Sequence, residues 1–170
     1  LIGEKLSGEM KYATSVLAGN GKIYAAPQNS NPVLEIDPIK RTTQLFGKDH
    51  GTYGSYRTSV LAENGKIYAA PYSASAYYVL EIDPTGDKAT SKLFKQKISF
   101  HQRTKYNKYQ TSVLANNGKI YAAPYNAMNV LEIKPSTQPP TTTQPPTTTQ
   151  PPTTTQPPTT TQPPTTTLPP

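Results

Sequence analysis

A carboxylate and an ammonium group recur together three times along the chain. They belong to Glu35, Glu81 and Glu132, and to Lys22, Lys66 and Lys119. A ring of such carboxylates would bind a cation or act as acid and base. The favoured interpretation is instead a Lys–Glu pair across neighbouring strands on a solvated face. The next acidic position holds Asp37 and Asp83 but then Lys134, which argues against a three-fold metal site, so we assign no metal ligand.

Groups suited to catalysis are scarce. His50 and His101 are the only histidines, and neither occupies a repeated position. The chain has no cysteine, which excludes disulfides, thiolate nucleophiles and thiolate metal sites. Neither G-x-S-x-G nor H-E-x-x-H nor a phosphate-binding glycine loop occurs. We therefore predict no catalytic residue, no cofactor and no enzymatic activity.

Tyrosines fall into two groups. Tyr24, Tyr68 and Tyr121 recur within a repeated segment and are predicted to pack between units, whereas eight others are assigned to connecting loops. Loop tyrosines are suited to stacking on sugars or to protein contact, with ordinary loop anchoring as the alternative. The loop group includes Tyr56 and Tyr109, and the candidate ligand-stacking residues are Tyr72, Tyr77 and Tyr125.

The net charge of +7 is concentrated partly in one segment that also holds three aromatic residues. Its cations are Lys95, Lys97, Arg103, Lys105 and Lys108. Such a segment would hold single-stranded nucleic acid or acidic polysaccharide. A solvated loop is the favoured interpretation, and we expect acidic polysaccharide rather than nucleic acid among any partners.

These side chains are positioned by a repeat. TSVLA-x-NGKIYAAP occurs at 14–27, 58–71 and 111–124, each time followed by VLEI. Asn-Gly between two apolar runs predicts a β-hairpin, here with a type I′ turn, and the Pro after KIYAA ends the second strand. VLEI is predicted to form a third strand, and TQLF or SKLF a fourth.

The predicted fold class is all-β: a propeller-like array of three four-stranded antiparallel units. The third unit has no fourth strand of its own, so Leu1-Ile2-Gly3-Glu4 is expected to complete it and hide its edge. The head spans 1–134, with units at about 5–47, 48–94 and 95–134 plus 1–4. A stalk spans 135–170.

The pattern NGKIYAAP, a polar spacer, then VLEIDP resembles the blade repeat of β-propeller proteins of the kelch-like and quinoprotein-like kind. The resemblance implies four-stranded blades around an axis. The kelch Gly-Gly pair and spaced Trp are absent. Three units are fewer than the roughly four to eight of a ring, so the ring closes unusually, is shared by two chains, or belongs to something longer.

Twelve of the 19 prolines lie between Pro139 and Pro170, where the stalk repeats PPTTTQ. Paired prolines hold an extended polyproline II rod, and three successive threonines point hydroxyls to all its sides. Threonine with proline is the composition of mucin-like, O-glycosylated stalks. The tract also resembles hydroxyproline-rich glycoproteins of algal and plant surfaces and glycan-coated fibrils of aquatic microbes. An unmodified, disordered linker is the alternative.

The candidate glycosylation sites are Thr141, Thr142, Thr143, Thr147, Thr148, Thr149, Thr153, Thr154, Thr155, Thr159, Thr160, Thr161, Thr165, Thr166 and Thr167. Candidate prolines for hydroxylation and glycosylation are Pro139, Pro140, Pro145, Pro146, Pro151, Pro152, Pro157, Pro158, Pro163 and Pro164.

Together these observations predict an extracellular structural glycoprotein, a subunit of a surface or secreted fibre that assembles with itself. No apolar run approaches the roughly 20 residues of a membrane span. The alternatives are a stalked, lectin-like propeller that binds carbohydrate and a non-catalytic fragment of a secreted hydrolase.

Overall fold

A computed structural model describes residues 1–29, 32–48, 55–73, 76–97 and 107–136, with backbone only at 95–97. These residues form eleven β-strands and no helix. No helix in the described part of the chain is therefore long and apolar enough to cross a membrane. The all-β prediction is confirmed.

The strands form three antiparallel sheets, one per repeat, each with its strands side by side in chain order. The first holds β1 (Val16–Leu17), β2 (Ile23–Ala25), β3 (Val33–Asp37) and β4 (Thr42–Phe46). The second holds β5 (Tyr56–Leu61), β6 (Ile67–Pro71), β7 (Tyr78–Asp83) and β8 (Thr90–Lys97). The third holds β9 (Tyr109–Leu114), β10 (Ile120–Pro124) and β11 (Leu131–Ile133). Below, the three repeats with their sheets are called units 1, 2 and 3.

Unit 3 has three strands, which corrects the expected count of four. In the described residues the segment Leu1-Ile2-Gly3-Glu4 forms no strand and does not pair with β11. Gly3 and Gly8 have positive φ, 72° and 87°, which interrupts an extended backbone. Gly3 lies against the side chain of Thr43, so the N-terminal segment lies beside unit 1.

The hairpin turn also differs from the prediction. The Ala18 amide donates to the Lys22 carbonyl (2.9 Å) and the Gly21 amide to the Ala18 carbonyl (3.0 Å). Only Gly21 has positive φ in this turn (78°), and its counterparts Gly65 and Gly118 behave alike. This is a three-residue loop in which a glycine bulge follows a type I turn, rather than a two-residue type I′ turn.

Side chains alternate between the two faces of each sheet. We call the face that bears Tyr24, Tyr68 or Tyr121 the Tyr face, and the opposite one, which bears Ile23, Ile67 or Ile120, the Ile face. The Tyr face of unit 1 packs on the Ile face of unit 2 through Tyr24, Ala26, Val33, Ile67, Ala69, Leu80 and Ile82. The Tyr face of unit 2 packs in the same way on unit 3 through Tyr68, Ala70, Val79, Ile120, Ala122, Leu131 and Ile133.

The predicted packing role of the repeated tyrosines is confirmed for Tyr24 and Tyr68. Their rings meet Phe46 and Phe94 edge-to-face, at centroid distances of 6.0 and 5.2 Å. Tyr121 lies on the uncovered Tyr face of unit 3 and is half-buried.

A line of backbone hydrogen bonds joins the units ahead of their first strands β1, β5 and β9, which we call the inner strands. The line consists of the backbone groups of Lys11, Gln28, Ser55, Tyr72, Lys108 and Tyr125. From Gln28 onwards, the amide of each residue donates to the carbonyl of the residue named before it, at 2.6 to 2.8 Å. Each unit contributes two residues to this inner ladder: one just before its first strand and one just after KIYAAP. Because buried backbone groups need partners, the ladder satisfies the polar groups where the units meet.

The turn geometry predicts different responses of two neighbouring glycines. Gly21→Ala places a side chain at φ 78° and should lower the free energy of unfolding by about 1 kcal/mol. Gly19→Ala is the matched control, because Gly19 has no positive φ and a Cβ there meets nothing within 4 Å. Urea denaturation measures both, and an equal loss in both variants would contradict the assigned turn.

Candidate functional site

A polar network repeats on the Tyr face of each unit. In unit 1 the Asn20 amide donates to the Tyr24 hydroxyl (2.9 Å), which donates to Glu35 (3.1 Å). Lys22 pairs with the same carboxylate at 2.6 Å. The predicted cross-strand pairing of the repeated Lys and Glu is therefore confirmed in unit 1. The predicted solvated face is wrong for units 1 and 2, where Glu35 and Glu81 are buried because the next unit covers the Tyr face.

The other two units repeat the network with small changes. In unit 2 Lys66 pairs with Glu81 (3.2 Å) and with Asp83 (2.8 Å), and Asn64 donates to Tyr68 (3.0 Å). In unit 3 Lys119 and Lys134 pair with Glu132, at 3.1 and 3.4 Å, and the Tyr121 hydroxyl donates to it at 3.0 Å. Lys134 therefore adds a cation where the first two units carry an aspartate.

The electrostatics of the network keep its ion pairs charged at neutral pH. A hydrogen bond to Glu35 raises the pKa of Lys22, and a hydrogen bond from Lys119 lowers the pKa of Glu132. Burial raises the pKa of the Tyr24 phenol. Lysines held as ammonium, a carboxyl held ionised and a phenol held neutral suit a structural network better than proton transfer. Within the described residues no three His, Cys, Asp or Glu side chains cluster as metal ligands would.

The hairpin asparagine also bridges two units. The Asn20 amide donates to the Pro84 carbonyl of unit 2 (3.0 Å), and the Asn64 amide to the carbonyl of Ser136 (3.0 Å), which follows the last strand of unit 3 at the start of the predicted stalk. Among the described residues, Asn117 donates to Tyr121 and to no carbonyl of another unit. At the inner edge the hydroxyls of Thr58 and Ser112 join units 2 and 3 at 2.7 Å. Each interface therefore has an apolar centre with polar contacts beside it.

A cavity of about 350 Å³ opens where the first of these interfaces meets solvent. Its wall in unit 1 is the polar network of Asn20, Lys22, Tyr24 and Glu35. Its wall in unit 2 includes Asp87 and Lys88. The cavity is mostly polar and would hold water or a small polar molecule.

A second cluster surrounds the inner ladder. Tyr72 is buried, its ring lies under the Arg57 guanidinium at 4.2 Å, and its hydroxyl accepts a hydrogen bond from Asn107 (2.7 Å). Lys108 is buried too: its ammonium bonds the Ser73 carbonyl and lies 5.5 Å from the Tyr77 ring. The only described cation of the predicted basic segment is thus part of the fold rather than a free binding group.

The three predicted stacking residues lie in different surroundings. One face of Tyr72 is already taken by Arg57, and Tyr77 is half-buried beside Lys108. Tyr125 is 60% exposed and lies at the end of the inner ladder. Its ring is therefore the most accessible of the three.

Other predicted residues lie outside the described part of the chain. They are His50, His101, Arg103, Lys105, the side chains of Lys95 and Lys97, and every candidate threonine and proline of the stalk. Their assignments stay predictions.

Three loop assignments were wrong, because Tyr56, Tyr78 and Tyr109 each begin a strand. Tyr56 and Tyr109 begin inner strands and are buried, and their hydroxyls donate to the Tyr78 and Asn129 carbonyls at 3.2 and 3.1 Å. Tyr12 makes the equivalent bond to the Pro32 carbonyl at 3.2 Å. Tyr12 is half-buried, whereas Tyr56 and Tyr109 are fully buried. Sequence reasoning missed this repeated position, although a tyrosine occurs two residues before each TSVLA.

Comparison with solved structures supports the architecture. The chain is similar to hydrazine synthase from Kuenenia stuttgartiensis, with a TM-score of 0.50 and 14% identity over 71% of this chain and 33% of that one. It is also similar to a catalytically inactive virginiamycin B lyase from Staphylococcus aureus with quinupristin, with a TM-score of 0.50 and 12% identity over 78% of this chain and 44% of that one.

Both of these structures are propeller-type folds, so the likeness confirms a propeller-like array. This chain spans less than half the length of either. No protein-family model and no curated protein matches it.

The bridging asparagines provide a matched comparison. The side-chain amide of Asn64 donates to Tyr68 and to the Ser136 carbonyl beyond its own unit, whereas that of Asn117 donates to Tyr121 within its own unit. Substitution by Ala removes these hydrogen bonds. We expect Asn64→Ala to lower the free energy of unfolding by about 1 kcal/mol more than Asn117→Ala, because it removes one more hydrogen bond and Asn64 is buried. Both side chains also accept a hydrogen bond at 3.1 Å from a backbone amide, that of Lys66 or Lys119. Because both variants lose this hydrogen bond, it does not contribute to the difference between them. Equal losses on denaturation would show that the bridge between units adds nothing.

Proposed function

We propose that this chain is an extracellular structural glycoprotein, a subunit of a surface or secreted fibre. The head supplies contacts between subunits, and an O-glycosylated polyproline II stalk supplies reach and hydration. The proposal assigns the chain no catalytic step and no cofactor.

The observation that carries the proposal is that successive units pack through one repeated pair of faces. A Tyr face meets an Ile face twice within the chain, through equivalent residues and equivalent asparagine bridges. A unit with two different, complementary faces is suited to serial assembly, because each addition leaves the same surface open. This favours a building block over a carrier of one unique site.

The stalk composition supports the second half of the proposal. Its hexapeptide alternates two prolines, which restrict the backbone, with three threonines, which offer acceptor hydroxyls. A polyproline II tract rises about 3.1 Å per residue, so 139–170 would extend on the order of 100 Å from the head. Sugars on closely spaced threonines would hold that backbone extended and shield it from proteases.

The mass of the native protein tests the glycoprotein assignment. We expect native material to exceed the 18.5 kDa of the bare chain and to return towards it after chemical release of O-linked sugars. The same chain produced in a host without O-glycosylation is the control and should match the bare mass. A native mass equal to the control would remove the glycoprotein proposal.

The second candidate is a stalked module that binds carbohydrate. The exposed ring of Tyr125 favours it, since exposed aromatic rings stack on sugars, and the net charge of +7 would favour acidic polysaccharide. The third interpretation, a non-catalytic fragment of a secreted hydrolase, stays a prediction.

Carbohydrate binding can be tested on the unglycosylated full chain. If this candidate is right, acidic glycans on an array bind the chain, and Tyr125→Ala weakens binding at least about tenfold because stacking is lost. Leu93→Ala is the matched control, an exposed apolar residue on β8 of unit 2. No binding, or equal weakening in both variants, would remove this second candidate.

A further inference from the structure

The array of described residues ends in two unlike faces, and no other described unit covers the Tyr face of unit 3. Val130 is 56% exposed, whereas its counterparts Val33 and Val79 are fully buried under the next unit. Ala123 is exposed where Ala26 and Ala70 are fully buried. The same apolar positions that form the core between units therefore reach solvent at this end.

The opposite end presents the Ile face of unit 1. Leu17 is 61% exposed and Leu45 is 43% exposed. Ile23 and Ile36 are half-buried, whereas the equivalent isoleucines of the other two units are fully buried against a neighbour. Ala25 and Leu34 at the centre of this face are buried, and the N-terminal segment reaches the face at Thr43. The open part of the face is therefore its margin at Leu17 and Leu45.

The polar bridge is also split between the two ends. Asn117 carries the donor that Asn20 and Asn64 use to hold the next unit. The carbonyls equivalent to their acceptors, at Pro84 and Ser136, are those of Pro38 and Ile39 in unit 1. Ile39 is 88% exposed, so its backbone lies at the surface. Donor and acceptor are therefore present on one chain but at opposite ends of the array.

From these observations we propose that the Tyr face of unit 3 binds the Ile face of unit 1 in a second copy of this chain, head to tail. The inference rests on the self-assembly in the proposed function and identifies its interface. The occupant is a second copy because this chain itself carries the complementary face, already packed twice in the required pairing. The Asn117 amide then donates to the Pro38 or Ile39 carbonyl of that copy.

Head-to-tail contacts give closed rings where the rotation between copies closes, and filaments where it does not. Two copies provide six units, within the roughly four to eight units of known propeller rings. Both products use the same interface. In a ring every copy has its exposed apolar positions buried at both ends, and in a filament every copy except the two terminal ones does.

Disulfide trapping tests the interface directly, because the chain has no cysteine of its own. The double variant Asn117→Cys/Ile39→Cys, made as the full chain without glycosylation, should form covalent dimers or longer chains under mild oxidation. Each single variant is the control, because head-to-tail docking brings the two different positions together. If a single variant formed as much covalent dimer as the double variant, like positions would be in contact, and the head-to-tail proposal would be overturned.

Sedimentation of the unmodified chain over a wide concentration range gives the second readout. We expect species heavier than the 18.5 kDa monomer, and Val130→Glu should weaken association at least about tenfold. Leu93→Glu should leave association unchanged. A chain that stays monomeric at all concentrations, with no trapped dimer, would overturn the proposal and leave the face to a further repeat or to another partner.

This outcome is separable from the glycoprotein test. A monomeric recombinant chain together with a sugar-bearing native stalk would overturn only the interface. An assembled recombinant chain together with a bare native stalk would overturn only the glycoprotein. Because Val130 is exposed in the single chain, its substitution should not unfold the head. The trapping experiment leaves Val130 unchanged, so its result does not depend on that expectation.

Discussion

The structure depends on one constraint: each unit is a sheet of three or four short strands with two apolar faces, and neither face is stable in water alone. Burial of a Val, Leu or Ile side chain stabilises a fold by about 1.5–3 kcal/mol, so stacking is the main stabilising contribution available to such a sheet. Tyr68, Val79 and Ile82 of unit 2 are fully buried because neighbours cover both of its faces. Units 1 and 3 each have only one neighbouring unit, and their outer positions show the consequence.

Polar groups give direction to the array in addition to the unlike Tyr and Ile faces of its apolar core. The repeated asparagine accepts the amide of the following lysine, which shapes its own turn, and donates to a carbonyl of the next unit. A single side chain thus links local turn formation to the order of the units. In the Lys–Glu–Tyr network beside it the lysines of units 1 and 2 are partly exposed, whereas the carboxylates and phenols that they accompany are buried. Close packing at the centre of the face and solvated groups at its rim resemble the layout of protein interfaces in general.

Much of the fold was predictable from local chemistry. Asn-Gly steps and terminal prolines located the hairpins, and VLEI and SKLF located later strands, because those signals act within a few residues. The turn form was not predictable, since Asn-Gly suits both a two-residue loop and a longer loop that differs only in backbone angles. The second role of Asn20 and Asn64 was hidden for another reason: their acceptors lie 64 and 72 residues away in the chain. The burial of Tyr56 and Tyr109 was not predicted, because these residues lie two positions before the repeated segment and outside its apolar pattern.

The inner ladder has a consequence for how such chains tolerate changes in length. It involves only two residues of each unit, and the asparagines on either side of the two connections are 44 and 53 residues apart. Nine additional residues were thus accommodated without any change in the bonding pattern. Because the entropic cost of closing a loop rises only slowly with its length, the connections between units are sites where insertions can accumulate. New surface loops, and with them new specificities, can arise there while the stacked sheets stay in register.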